Sequence, residues 1–154
     1  MPEKRTLQRA RKDKRQGKAP STQAGEFVRE EMDHIRQGKH GARSTKQAIA
    51  IGLSKARRSG VKLAAPKNGK ASTATRKRAE RDLKKGQSGG RKKTSAKRSR
   101  ATTNALKREG RSAASHKSLS RQAKQAARKR SSAGSKRATT SRKRSSSARK
   151  SSSR

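Results

Sequence analysis

The sequence predicts a mostly disordered chain with a small all-α helical hairpin and weak isolated helices in a basic tail. Three observations carry that expectation. Leu, Ile, Val and Phe number 12 of 154 residues, well under the ~20% below which highly charged chains stay unfolded. Nine of the 14 large apolar residues, Met included, crowd between Phe27 and Leu63. Forty-eight Lys and Arg against nine Asp and Glu leave a net charge of +39, a surplus that repels itself when compacted and attracts polyanions.

Residues 1–24 hold eight bases, two acids and a single large apolar side chain beyond Met1, Leu7. Without an apolar stripe a helix here has nothing to dock with, so this segment reads as a basic N-terminal arm. The hairpin core follows over 25–65. Its first helix is expected over 26–37, with Val28, Met32 and Ile35 at i, i+4 and i+7, Phe27 on their flank, and Gly38 as the stop. The second is expected after Ser44-Thr45-Lys46-Gln47, which fits a capping box. Ile49, Leu53 and Ala56 form its stripe, widened by Ile51 and Ala48, and Gly60 supplies a left-handed stop against which Val61 can fold back. The predicted core is therefore Phe27, Val28, Met32, Ile35, Ile49, Ile51 and Leu53. A hairpin this small sits at the lower limit for independent folding, which makes a homodimer through it an expected association.

Beyond Pro66 the composition changes: residues 64–154 carry 31 bases and three acids. A basic, partly helical region rich in Ala, Lys and Arg spans 66–127. Weak helices are expected at 75–85, 100–109 and 116–130, each with one Leu and too little to bury. Gly-Gln-Ser-Gly-Gly at 86–90 reads as a linker. Residues 128–154 are a Ser/Arg/Lys low-complexity tail, expected to be disordered.

The chemistry this composition allows is narrow. With no Cys there are no disulfides, thiol nucleophiles or Cys-based zinc sites. His34, His40 and His116 are the only imidazoles, and none has an evident ligand partner in the sequence. Glu30, Glu31 and Asp33 read as balancing Arg29, Arg36 and the helix dipole. The expectation is no enzyme, no metal and no cofactor. The longest near-apolar run, 48–53, is far too short to span a bilayer, and residues 1–24 lack the apolar segment of a signal peptide. The expected location is cytoplasmic and nucleoid-associated.

The basic clusters point to phosphate. Duplex DNA carries one negative charge per ~1.7 Å of axis, so the surplus matches about 20 base pairs. The candidate contacts are Lys46, Lys55, Arg57 and Arg58 on the second helix, then Arg91, Lys92 and Lys93, then Lys97, Arg98 and Arg100. Arg128, Lys129 and Arg130 follow, and finally Arg142, Lys143 and Arg144. Their spacing carries no base-reading geometry, and the turn between the helices is longer than that of a helix-turn-helix. With no Trp or Tyr and one Phe, aromatic platforms for single-stranded RNA are excluded.

The stretch 38–60, and above all Lys-Gln-Ala-Ile-Ala-Ile-Gly-Leu-Ser at 46–54, resembles a family of small basic bacterial proteins with a domain of unknown function. The resemblance covers about a quarter of the chain, and its members are commonly labelled DNA-binding or histone-like. It implies a bacterial, DNA-associated protein and transfers no functional residues. The leading expectation is a non-sequence-specific, histone-like DNA-binding protein. An RNA-associated or ribosome-bound basic protein is the second reading. A hairpin that binds another polypeptide, with solvated polybasic tails, is the third.

Overall fold

The computed structural model describes residues 2–88 and 95–132. The chain forms two units, Met1–Ser115 and His116–Arg154. In the first, α1 spans Lys4–Arg15, α2 Pro20–Arg36, α3 Thr45–Arg58, α4 Thr73–Gln87 and α5 Ala96–Lys107, followed by a 3-10 turn at Ser112–Ala114. In the second, residues 116–132 are helical.

The expectation of a mostly disordered chain is overturned, because helices occupy most of the described residues. The reason is the kind of side chain that fills the core. Of the twelve buried apolar residues among those described, eight are alanines: Ala10, Ala24, Ala42, Ala48, Ala56, Ala79, Ala113 and Ala114. Counting Leu, Ile, Val and Phe misses such a core. Alanine loses no rotamer freedom on burial and lets backbones approach closely, so less apolar surface is needed to offset ordering.

The segment read as an arm is largely α1, docked on α2. It buries Thr6, Ala10 and Asp13, at i, i+4 and i+7, with Leu7 packed at the edge. The stripe is helical in period but made of small and polar residues. Asp13 is held by the Lys18 ammonium at 2.8 Å. α2 starts with Pro20 at its first turn, six residues before the expected start, and buries Gln23 and Ala24 there. Proline suits that position because its missing N–H would lack a helical partner anyway.

α2 and α3 form the expected hairpin. Ser44 caps α3, its Oγ accepting from the Gln47 N–H at 3.2 Å, while the Gln47 side chain accepts from the Arg43 N–H. Gly60, at φ +92°, ends α3 in a Schellman turn with Val61 N–H donating to the Ala56 carbonyl, and Val61 is buried.

The packing face of α3 differs from the expected one in its large residues, while Ala48 and Ala56 of the expected stripe are buried. Its buried line is Ala48, Gly52 and Ala56, whereas Ile49, Ile51 and Leu53 are only half-buried. On α2, Phe27, Met32 and Ile35 are buried as expected and Val28 is half-buried. Gly52 decides the register: a Cβ there would sit 2.7 Å from the Val28 Cα. The α2 and α3 backbones approach too closely for a larger residue at that point, so the small residues face inward.

The weak helix expected at 75–85 is α4, and it is not isolated. It packs on α3 with Ala79 buried. Asp82 accepts from Ser54 Oγ at 2.7 Å and pairs with Arg58 at 3.2 Å. A Cβ at Gly86 would collide with the Arg57 carbonyl oxygen, so this glycine is a point of close approach, placed inside α4. α5 buries none of its residues. It is pinned at its C-terminal end, where the Leu106 and Gly110 carbonyls accept from the Gly41 and Ala42 N–H groups. The 3-10 turn then rests on α2 and α3, its Ala113 and Ala114 carbonyls accepting from Thr45 and Arg36.

In the second unit the helix over 116–132 includes residues 128–132, which the sequence reading places in the disordered tail. The remainder of that tail, 133–154, and residues 89–90 lie outside the described residues; the expected linker over 86–90 begins inside α4, whose last residues are Gly86 and Gln87.

Candidate functional site

All nine carboxylates of the chain lie within 4.0 Å of a basic group. Glu3 meets His34 and Lys39, Asp13 meets Lys18, Glu26 meets Arg9, and Asp33 meets Arg36. Glu30 and Glu31 share Lys55 and face His34 and His40. Glu80 meets Arg76, Asp82 meets Arg58, and Glu109 meets Arg43. The acids are used within the fold, and among the described residues most of the surplus cations are exposed.

Three of the four basic residues expected to contact nucleic acid from α3 are engaged in the fold. The buried Arg57 donates from Nε to the Leu63 carbonyl at 3.1 Å and from Nη2 to the Ala64 carbonyl at 3.2 Å. Burial pushes its guanidinium below the ordinary arginine value, and the charge of Asp82 partly offsets this. Lys55 spans Glu30 and Glu31, and Arg58 bridges Asp82 and Ser54. Lys46 is exposed. Lys97, Arg98 and Arg100 are exposed on α5, and Arg128, Lys129 and Arg130 on the helix over 116–132. Arg91, Lys92, Lys93, Arg142, Lys143 and Arg144 lie outside the described residues.

The fold adds basic surface that sequence reasoning passed over. On α1, Gln8, Arg11, Lys14 and Arg15 line an open surface depression. Gln8, Arg11 and Arg15 are spaced i, i+3 and i+7, opposite in kind to the Thr6/Ala10/Asp13 face that docks. α4 exposes Lys77, Arg78, Arg81, Lys84 and Lys85. The signal was available: once α1 and α4 are helices with one buried face each, their remaining charges must form the opposite faces.

A second cluster lies where α2 meets the turn to α3. Glu31 is on α2 and is buried. Its Oε2 accepts from Lys55 Nζ at 2.5 Å, while its buried Oε1 accepts no hydrogen bond and lies 3.3 Å from His40 Nε2. His40 Nδ1 lies 3.1 Å from the Gly41 carbonyl oxygen. A carbonyl can only accept, so Nδ1 carries the proton. His34, one helical turn beyond Glu31, has Nε2 2.8 Å from Glu3 Oε1, and its ring stands edge-on to that of His40 at 6.0 Å. Hydrogen bonds from His34 and Lys39, and the Lys39 charge, hold the Glu3 carboxyl below the usual carboxylate range.

One ligand atom each from Glu31, His34 and His40 falls within 4.8 Å of the others. The sequence reading assigned no partner to these histidines. Glu31-x-x-His34 was visible as an i, i+3 pair on one helix face, but His40 comes close only because the turn folds back on α2.

No helix among the described residues is long and apolar enough to cross a membrane. No curated protein and no solved structure matches the chain. Residues 4–69, running from α1 to just beyond α3 and including the His34–His40 cluster, are similar to a family of unknown function (DUF6496).

Proposed function

We propose that this chain binds nucleic acid through its phosphates, without sequence preference, as a histone-like protein that neutralises and compacts duplex DNA in the nucleoid. One observation carries the reading. The nine acids are all committed to partners within the fold, so the basic faces of α1, α4, α5 and the 116–132 helix are left for an external polyanion. Helices that expose rows of Lys and Arg suit backbone contact, which positions a protein on a duplex without reading bases. The buried Arg57 and the paired Lys55 and Arg58 argue against α3 as a recognition helix.

The test is binding of the full chain to duplexes of random sequence across a salt series, with RNA hairpins as competitors. The expected result is near-equal affinity for all duplexes, with log affinity falling by about 0.9 per phosphate neutralised as log salt rises. Replacing Arg11, Lys14 and Arg15 with Gln is expected to shallow that slope by up to about 3. A footprint confined to one sequence would overturn the reading. Preference for RNA hairpins at equal salt would transfer the same electrostatic mechanism to structured RNA.

A further inference from the structure

The geometry points to a binding site for one divalent first-row transition cation, of the zinc class, held by Glu31, His34 and His40 at the junction of α2 and the α2–α3 turn. The case rests on the placement of donor atoms. Zinc takes imidazole nitrogen and carboxylate oxygen at ~2.0–2.2 Å, so two ligands at a tetrahedral angle stand roughly 3.3 Å apart. His40 Nε2 and Glu31 Oε1 are 3.3 Å apart. Because Nδ1 of His40 donates to the Gly41 carbonyl, a neutral ring leaves Nε2 without a proton 3.3 Å from a buried carboxylate oxygen that itself receives no hydrogen bond. Two acceptor atoms without a proton between them repel at that separation, and a cation bound to both removes the repulsion.

The surroundings match those of a ligand set. An N–H to a backbone carbonyl on the far side of a ligating imidazole fixes its tautomer and aim, and ligating carboxylates are commonly held by a second donor. The Gly41 carbonyl does the first for His40, and Lys55 on Oε2 does the second for Glu31, leaving Oε1 for the cation. Glu31 has 1% side-chain exposure, so its position is set by packing. One donor atom of each of the three residues already lies within 4.8 Å of the others, and where the His34 atom is Nε2 the ion replaces its hydrogen bond to Glu3. The charged groups around the cluster are Glu3, Glu30, Glu31, Lys39 and Lys55. With neutral imidazoles these ion-paired groups sum to one net negative charge, and the Arg111 guanidinium stands nearby against Gly38 in the same turn. Two imidazoles and one carboxylate select a borderline ion such as Zn²⁺ over Mg²⁺ or Ca²⁺, which take oxygen. Water would complete the coordination. The bound ion would clamp the turn onto α2.

The test is titration of the full chain, freed of nucleic acid, with Zn²⁺ by calorimetry at neutral pH. One equivalent should bind, raise the melting temperature and resist a large excess of Mg²⁺. His34→Ala and His40→Ala should each weaken binding at least about tenfold, since even supporting residues of metal sites cost that much. His116→Ala, on the separate helix, should leave it unchanged. Circular dichroism establishes that the variants are folded. Imidazole nitrogen shifts of the unsubstituted protein give a reading independent of them: Zn²⁺ should move the ring nitrogens of His34 and His40 and not those of His116. Failure to bind Zn²⁺, binding that survives either substitution in a folded variant, or unmoved ring nitrogens would overturn the site and leave an imidazolium–carboxylate pair only. Phosphate binding by the basic faces does not depend on any of these outcomes.

Discussion

α3 and α5 are similar in composition and opposite in fate. Both are short, basic and supplied with alanine, yet α3 buries Ala48 and Ala56 while α5 leaves Ala96, Ala101 and Ala105 exposed. The difference lies in what each helix meets. α3 lies against α2, which carries four of the nine acids, and Lys55 reaches Glu30 and Glu31 there. No acid occurs in residues 95–108, and α5 is tied down only near its end, where Glu109 faces Arg43. α4 fits the same rule, docking where Asp82 meets Arg58 and Ser54. In a chain with this charge surplus, alanine makes close packing possible and a few carboxylates decide which helices achieve it.

The largest expected effect comes from breaking the close approach in α3. Gly52→Leu should destabilise the fold by about 3 kcal/mol in urea unfolding, because its side chain would have to displace the α2 backbone at Val28. An unchanged midpoint would mean that α2 and α3 are not packed through their small residues. Glu31→Gln should come next, at about 2 kcal/mol. That substitution keeps the volume but removes the carboxylate charge from Lys55, whose partial exposure lets it reach water and moderates the loss.

How much of this was legible follows from the same comparison. The hairpin, the Ser44 cap and the Gly60 stop were readable because local patterns specify them: a capping side chain at fixed spacing, a left-handed glycine and an i, i+4, i+7 stripe on α2. α1, the first turns of α2, and the docking of α4 were not, because Thr6, Ala10, Asp13, Ala24 and Ala79 carry no strong apolar signal. The α3 face was misjudged for the complementary reason. Ile49 and Leu53 outweigh Ala48 and Gly52 in hydrophobicity, but a close backbone crossing selects for small size. Among the basic residues, type and clustering gave no warning that Arg57 would turn inward, since its partners at Leu63 and Ala64 lie beyond the helix it ends. Of the His34–His40 cluster, the sequence contains the Glu31–His34 pair, and only tertiary folding adds His40.

Removing the acid that docks α4 sharpens the rule at smaller scale. Asp82→Ala should cost about 1.5 kcal/mol, mostly through the lost Ser54 hydrogen bond, because the pairing guanidinium of Arg58 is half-exposed and worth little alone. The informative measurement is hydrogen exchange resolved along the chain: protection should fall over 73–87 and persist in α2 and α3. Uniform loss across α1, α2, α3 and α4 would mean that α4 is part of the same cooperative unit rather than an element docked by one carboxylate.

The smallest effect is the most discriminating for α5. Ala101→Leu enlarges an exposed alanine on a helix without buried residues, so stability should change by no more than about 0.5 kcal/mol. The equivalent enlargement on α3 meets α2 at once, although both sites are small residues in basic helices. A loss at Ala101 as large as that at Gly52 would show that α5 packs along its length. The docking rule would then fail, because a helix without a single carboxylate would have joined a core in which every other helix brings its own or, like α3, lies against one that does.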